Sequence, residues 1–312
     1  MTIAVLNAMM KPKLESRLPN WVEPRWFASS EELYALAPLA EIGWFDSFAE
    51  GVAEQAVRLA TALKWLNTVG SGVEYLPLAL LDERGVVLTN GAGINAVTIG
   101  EYAVMGMLTV AKSYHDVIRA ADRGEWLEEA PGKMELLGSK ALLLGVGEIG
   151  SNIAARLDPF GVEVTKARRH PRPGELGPRD WRARLGEFDW VIISVPSTPE
   201  TRHLMGASEL AAMKTTACVM NFARGDLIDQ EALIDALTQG RIGAAFLDVT
   251  DPEPLPPGHP LWKIDNCHIS MHLSGRSQTL IFTRAAERFL DNLGRWYRGE
   301  PLAWQVDLAL GY

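Results

Sequence analysis

The stretch Lys140-Ala-Leu-Leu-Leu-Gly-Val-Gly-Glu-Ile-Gly150 is a short apolar run that passes directly into G-x-G-x-x-G. Few local patterns restrict a fold so tightly, because the three glycines serve separate purposes. Gly145 permits the tight turn, Gly147 lets backbone approach a phosphate, and Gly150 lets the following helix lie close on the strand. That helix directs its partly positive amide end at the anion. Ser151 to Leu157 has helical composition with apolar residues at Ile153, Ala154 and Leu157, and Val162 to Thr165 reads as the next strand. A strand-helix-strand unit of this size assigns Gly145, Gly147, Glu148, Ile149 and Gly150 to a dinucleotide pyrophosphate.

The end of the second strand bears on which dinucleotide is bound. An enzyme that selects NAD places Asp or Glu about 20 residues past the glycines, against the ribose hydroxyls, whereas a 2′-phosphate calls for Arg. The chain reads Lys166-Ala-Arg-Arg-His-Pro-Arg172, with no carboxylate before Glu175. The guanidinium groups of Arg168 and Arg169 suit a phosphate, and the expectation is NADPH over NADH.

Strand-like and helix-like segments alternate along the whole chain, the pattern of α/β proteins with parallel sheets. In the first part, strands are expected at 3–6, 63–69 and 86–88 with a helix at 52–63. One long helix is expected at 98–126, and further strands at 141–144, 162–165, 190–194, 217–221, 244–247 and 268–270. A closing amphipathic helix at 279–298 is expected to return to the first domain. The expected architecture is two Rossmann-like, doubly wound parallel-sheet domains with a cleft between them. Residues 1–98 with 284–312 form a discontinuous substrate domain and 99–283 the dinucleotide domain. With 312 residues, 47% of them hydrophobic, there is material for both cores. A net charge of -9 gives no general attraction to nucleic acid or to an anionic membrane. No signal peptide or membrane span is expected, and the chain reads as cytoplasmic. Cys218 and Cys267 show no metal-ligand or C-x-x-C spacing, so neither a metal nor a disulfide is expected.

Three later strand ends carry the chemistry. Asn221-Phe-Ala-Arg-Gly-Asp226 brings Arg224, Phe246 to Pro256 brings Glu253, and Cys267 to Gly275 brings His272. In an open α/β sheet such ends line the ligand crevice. Reduction of a 2-oxo acid needs a cation on the carboxylate and ketone, a proton donor for the oxygen, and a carboxylate that favours the protonated donor. Arg224, His272 and Glu253 supply those types. His268 falls inside its strand and reads as structural, and His115 and His170 read likewise as non-catalytic.

The order of these motifs resembles the D-isomer-specific 2-hydroxyacid dehydrogenase family over nearly the whole chain, most like its NADPH-dependent glyoxylate/hydroxypyruvate reductase A branch. Val195-Pro-Ser-Thr-Pro-Glu-Thr-Arg202, Glu253-Pro-Leu-Pro256 and Pro260-Leu-Trp262 strengthen the likeness. It implies reduction of a small 2-oxo acid to the D-2-hydroxy acid, with Arg224 on the substrate, His272 as acid/base and Glu253 as its partner. It also implies that Val195, Pro196, Thr201, Phe222, Ala223, Asp248, Ser274 and Gly275 meet the cofactor, Asp248 at the nicotinamide carboxamide. The loop Asn67 to Val73 resembles the family's substrate loop, whose amides at Val69, Gly70 and Ser71 hold the carboxylate. Met271 stands where the family has Pro. A homodimer through roughly 101–134 is implied. Two other readings fit the same motifs, a dinucleotide-sensing regulatory protein and a dehydrogenase for a bulkier 2-oxo acid.

Overall fold

The computed structural model describes residues 1–47 and 49–311. The chain forms two compact units, Met1–Ile94 with Gln278–Tyr312, and Asn95–Ser277. The sequence suggests boundaries at 98/99 and 283/284.

In the first unit, strands β1 (Thr2–Asn7), β2 (Val22–Phe27), β3 (Ile42–Trp44), β4 (Trp65–Asn67) and β5 (Val87–Thr89) make one sheet in the order β2-β1-β3-β4-β5. Every pairing is parallel. Parallel neighbours need crossovers, and helices α1 (Lys11–Leu14), α2 (Ser30–Leu36), α3 (Val52–Leu59) and α4 (Leu78–Glu83) stand between the strands. The order reverses between β1 and β3, so ligand-facing loops are expected after these strands. Strands β2 and β3 are absent from the sequence-based expectation. Strand β2 pairs on one side only and holds Pro24, Glu23 and Arg25, a composition that an edge tolerates. Strand β3 has three residues, one of them glycine. The helix Ile281–Tyr297 belongs to this unit, and its Phe289 ring lies 5.1 Å from that of Trp44 and 5.0 Å from that of Trp65.

The second unit has a six-stranded parallel sheet, β6 (Lys140–Leu144), β7 (Glu163–Ala167), β8 (Trp190–Ile193), β9 (Cys218–Asn221), β10 (Ala244–Leu247) and β11 (Cys267–Ile269), in the order β11-β10-β9-β8-β6-β7. A single parallel bridge from Ala167 to Leu176 extends the order past β7. Alternate residues enter separate cores. Leu142, Leu144, Val191 and Ile193 join one buried cluster, while Ala141, Leu143, Trp190 and Ile192 join the other. The helices are α5 (Ala96–Ala111), α6 (Tyr114–Asp122), α7 (Glu148–Leu157), α8 (Asp180–Ala183), α9 (Ala207–Ala212) and α10 (Gln230–Thr238).

The single helix expected at 98–126 is corrected to two, α5 and α6. Ser113 between them has a φ of 45°, and the break has a tertiary cause. The chain at 132–134 returns over the end of α5, where Met134 N donates to Ala111 O at 3.2 Å and Lys112 Nζ to Met134 O at 2.7 Å. A Cβ on Gly132 would lie 2.2 Å from the Lys112 carbonyl carbon. Trp126 lies beyond α6 and is 93% exposed. Among the described residues no helix is long and apolar enough to cross a membrane.

On β11, His268 packs edge-on against His115 of α6, with ring centroids 4.5 Å apart. Burial, and then the neighbouring His115, push its pKa down to about 4. The ring is therefore neutral in the fold while the unfolded chain takes up a proton below the ordinary 6.5. Its contribution to stability is whole above 6.5 and is lost as the pH falls towards 4. Urea midpoints measured across that window should fall more steeply for the natural chain than for His268→Asn, and parallel slopes would remove His268 from the acid response.

Candidate active site

At the switch between β6 and β8 the glycine turn has the geometry of a phosphate cradle. Gly145 has a φ of 92°, and a Cβ there would meet Ser194 O at 2.6 Å. A Cβ on Gly150 would lie 2.1 Å from Gly145 O, whereas one on Gly147 would have nothing within 4 Å. Gly147 and Glu148 are exposed, so the open space over Gly147 and the first turn of α7 fits a dinucleotide pyrophosphate.

Past β7 the two arginines differ. Arg168 Nε lies 2.7 Å from Glu175 Oε2, with side chains 24% and 11% exposed. Arg169 is exposed. The Glu175 carboxyl accepts from Arg172 N at 2.9 Å, and that bond, outweighing some burial, together with the charges of Arg168 and Arg172, holds it below the usual carboxylate range. Arg168 is thus engaged by a carboxylate that the loop folds back from seven positions on, a pairing invisible in the linear motif.

The three strand ends come together within this unit. Buried Asn221 shapes the first loop, its Nδ2 donating to Arg224 O at 2.7 Å and its Oδ1 accepting from Ala223 N at 3.0 Å. Arg224 Nη1 donates to Ala223 O at 2.8 Å. A Cβ on Gly225 would lie 2.1 Å from both the carbonyl carbon and oxygen of Thr250, so this loop is pressed against the loop that carries Glu253. Glu253 Oε1 accepts from Thr250 N at 3.0 Å, and Glu253 Oε2 lies 2.7 Å from His272 Nδ1. Burial pushes the Glu253 carboxyl up, but the bonds from His272 and Thr250 outweigh it and hold the group below its usual range. It is a carboxylate throughout the neutral region. Met271 and His272 have φ values of 52° and 55°. Proline is locked near −65° and does not fit that backbone, so Met271 here goes with a local conformation of its own.

Asp248 and Ser274, both expected to meet the cofactor, are held by hydrogen bonds within the fold. Asp248 is 3% exposed, its Oδ1 accepting from Ser270 Oγ at 2.7 Å and Ser274 N at 3.1 Å, and its Oδ2 from Ser274 Oγ. Its carbonyl accepts from His272 N at 2.5 Å. The Ser274 carbonyl accepts from Thr98 Oγ1 at 2.9 Å. The two residues are satisfied by each other and clamp the 270–274 turn that presents His272. Thr201 likewise donates its hydroxyl to Pro196 O at 2.8 Å and accepts from Thr198 N, which fixes its own loop. Ser197 Oγ donates to Asp226 Oδ2 at 2.6 Å, tying that loop to the one bearing Arg224. The Phe222 ring is buried, 5.8 Å from that of Phe246, and Val195 packs on the Gly145 turn. Gly275 lies against Asn95.

In the first unit, two of the three amides expected to take the substrate carboxylate are already bound. Val69 N donates to Asp46 Oδ2 at 2.7 Å and Gly70 N to Thr68 Oγ1 at 3.1 Å. Gly91 N donates to Gly70 O at 2.8 Å and Asn90 Nδ2 to Ser71 O at 2.8 Å, so both flanks of the turn are braced. An amide that donates inward cannot also grip an anion at full strength. Ser71 and Gly72 follow these two residues in the turn. Asp46 gives no sequence signal beyond a lone acid after a short strand.

Residues 104–274 match the family described as D-isomer specific 2-hydroxyacid dehydrogenase, NAD binding domain. The chain belongs to the D-isomer-specific 2-hydroxyacid dehydrogenases. This dehydrogenase is 34% identical over 260 residues to a mouse protein named glyoxylate reductase/hydroxypyruvate reductase, covering 79% of the chain and 77% of the relative. A crystal structure of a family member from Aeromonas salmonicida superposes with a TM-score of 0.86 at 27% identity, over 98% of this chain and 99% of that one. The Sinorhizobium meliloti NADPH-dependent glyoxylate/hydroxypyruvate reductase, solved with NADP and malonate, shares the fold at 23% identity and a TM-score of 0.79, over 99% of this chain and 98% of that one. The dehydrogenase is accordingly an NAD(P)-dependent oxidoreductase.

Proposed function

We propose that the enzyme reduces a small 2-oxo acid of the glyoxylate/hydroxypyruvate type to the D-2-hydroxy acid with NADPH. The observation that carries this reading is the His272–Glu253 pair, 2.7 Å apart, on a turn clamped by Asp248 and next to the loop bearing Arg224. When bound, the nicotinamide supplies the hydride. Arg224 holds and polarises the 2-oxo acid, and His272 delivers the proton to the oxygen while Glu253, charged and fixed by Thr250 N, keeps the ring oriented. In the oxidative direction the neutral ring takes the proton back. The mouse relative's name supports a small substrate. Exposed apolar residues on α5, α6 and the segment after them, Met105, Tyr114, Ile118, Trp126 and Leu127, support a homodimer through that face.

The test is loss of nicotinamide absorbance with NADPH and with NADH against glyoxylate, hydroxypyruvate, pyruvate and phenylpyruvate. Selective use of NADPH with the first two is expected. Preference for phenylpyruvate would overturn the small-substrate reading. NADPH binding without turnover of any would replace catalysis by dinucleotide sensing.

Because Arg168 is tied to Glu175 and Arg169 is not, Arg169→Ala should weaken NADPH about tenfold or more, given ~1.5–3 kcal/mol for hydrogen bonds to a charged group. NADH should change little. Equal losses for both cofactors would rule out recognition of the 2′-phosphate by Arg169.

A further inference from the structure

Asp46 is a carboxylate that the chemistry above does not use. Its side chain sits at the carboxyl edge of the first unit's sheet, just past β3, beneath the turn that follows β4. Four donors converge on it: Thr68 Oγ1 at 2.5 Å and Tyr75 Oη at 3.4 Å on Oδ1, and Val69 N and Trp44 Nε1, each at 2.7 Å, on Oδ2. Asn7 Nδ2, at the end of β1, donates to its carbonyl at 2.8 Å. The Trp44 side chain is 1% exposed, so one of those donors belongs to the core itself. Thr68 Oγ1, held by Asp46 and 2.9 Å from Tyr75 Oη, accepts in turn from Gly70 N. The acid therefore fixes two successive amides of the turn, one directly and one through Thr68.

We propose that Asp46 is a positioning residue for substrate binding: by holding Val69 N and Gly70 N it sets the turn so that the next amides, at Ser71 and Gly72, converge on the carboxylate of the 2-oxo acid. This rests on the reading above, in which that turn holds the carboxylate. Backbone amides cannot swing towards a ligand as a long side chain can, so their grip on an anion depends on the turn being set beforehand. The role is one of hydrogen-bond geometry, and Asn can fill it. An Asn carbonyl at the place of Oδ2 accepts from Val69 N and Trp44 Nε1, and its amide group donates to Thr68 Oγ1, which turns its own proton to Tyr75.

The experiment compares Asp46→Ala, Asp46→Asn and Thr68→Val in the full-length enzyme. It reads KM for glyoxylate, inhibition by oxamate, kcat, NADPH affinity by nicotinamide fluorescence, and hydrogen exchange of peptides spanning 66–76. Asp46→Ala and Thr68→Val should raise KM and the oxamate constant about tenfold or more. Both should speed exchange within 66–76, with kcat and NADPH affinity little changed, and Asp46→Asn should stay close to the natural enzyme in each readout. If Asp46→Ala fails to fold, the isosteric Thr68→Val decides. An unchanged KM in Thr68→Val, a loss spread equally over KM, kcat and NADPH affinity, or an Asp46→Asn variant as impaired as Asp46→Ala would each overturn the proposal. Absence of turnover in the natural enzyme would overturn the functional reading instead. Exchange within 66–76 would still judge Asp46, and unchanged exchange in both Asp46→Ala and Thr68→Val would overturn its role.

Discussion

Replacing His272 with Ala should lower kcat by ~10² to 10⁴ while leaving NADPH affinity nearly unchanged, because in the proposed mechanism the ring delivers the proton to the substrate oxygen. The structure makes the substitution local. The turn that presents His272 is held by backbone and by Asp248, through His272 N on Asp248 O, Ser270 Oγ and Ser274 N on Asp248 Oδ1, and Ser274 Oγ on Asp248 Oδ2. None of these bonds uses the imidazole. Truncation leaves Glu253 with its bond from Thr250 N and with solvent access, so the fold should tolerate the loss. His272→Gln sharpens the comparison, since it returns a hydrogen-bond donor to Glu253 without a transferable proton, and it should be nearly as slow as the Ala variant. Steady-state kinetics with nicotinamide fluorescence titrations check both. Turnover near normal in His272→Gln would show that His272 orients substrate and that the proton comes from elsewhere.

What the sequence disclosed and what it hid divide along the range of the interactions. Strands β6, β8, β9 and β10 are visible as four- and five-residue largely apolar runs ending in glycines or motif residues, since both faces of an inner parallel strand are buried, whereas the edge strand β7, with Glu163, Thr165 and Lys166, is read from its place after the glycine turn. Strand β2 is not visible, because an edge tolerates Pro24 and charges, and the break at Ser113 is not, because it comes from Gly132 to Met134 returning over α5. The same division runs through the site. Arg224, Glu253 and His272 could be placed from motif order, as strand ends in such sheets gather on one edge. The internal pairings of Val69, Gly70, Asp248 and Ser274 could not. Asp46 and Val69 are 23 positions apart, Asp248 and Ser274 are 26, and nothing local to either member names its partner. Polar groups that resemble ligands in one dimension can be satisfied internally in three, and only the partner list tells which.

Gly225→Ala should cost nearly as much as a catalytic substitution although the residue bears no functional group. A Cβ there would lie 2.1 Å from Thr250 C and O and 2.5 Å from Asp251 N, all backbone, so no side chain can swing aside and one loop must move. On one side, the Arg224 carbonyl is fastened to buried Asn221 at 2.7 Å. On the other, Thr250 N is fastened to Glu253 at 3.0 Å, and Glu253 to His272 at 2.7 Å. Either displacement separates Arg224 from the His272–Glu253 pair. A shift of about 1 Å at reacting groups costs ~10² in rate, so kcat/KM should fall by that order. The overpacking itself should lower stability by only ~1–3 kcal/mol, which leaves the protein folded and able to bind NADPH through the separate glycine turn. Gly186→Ala is the control, since its nearest contact for a new Cβ is an ordinary 3.4 Å. Kinetics of the two variants beside their melting temperatures decide the matter. Full activity in Gly225→Ala would mean that the two loops can part without consequence, and that the contact between them does not set the catalytic geometry.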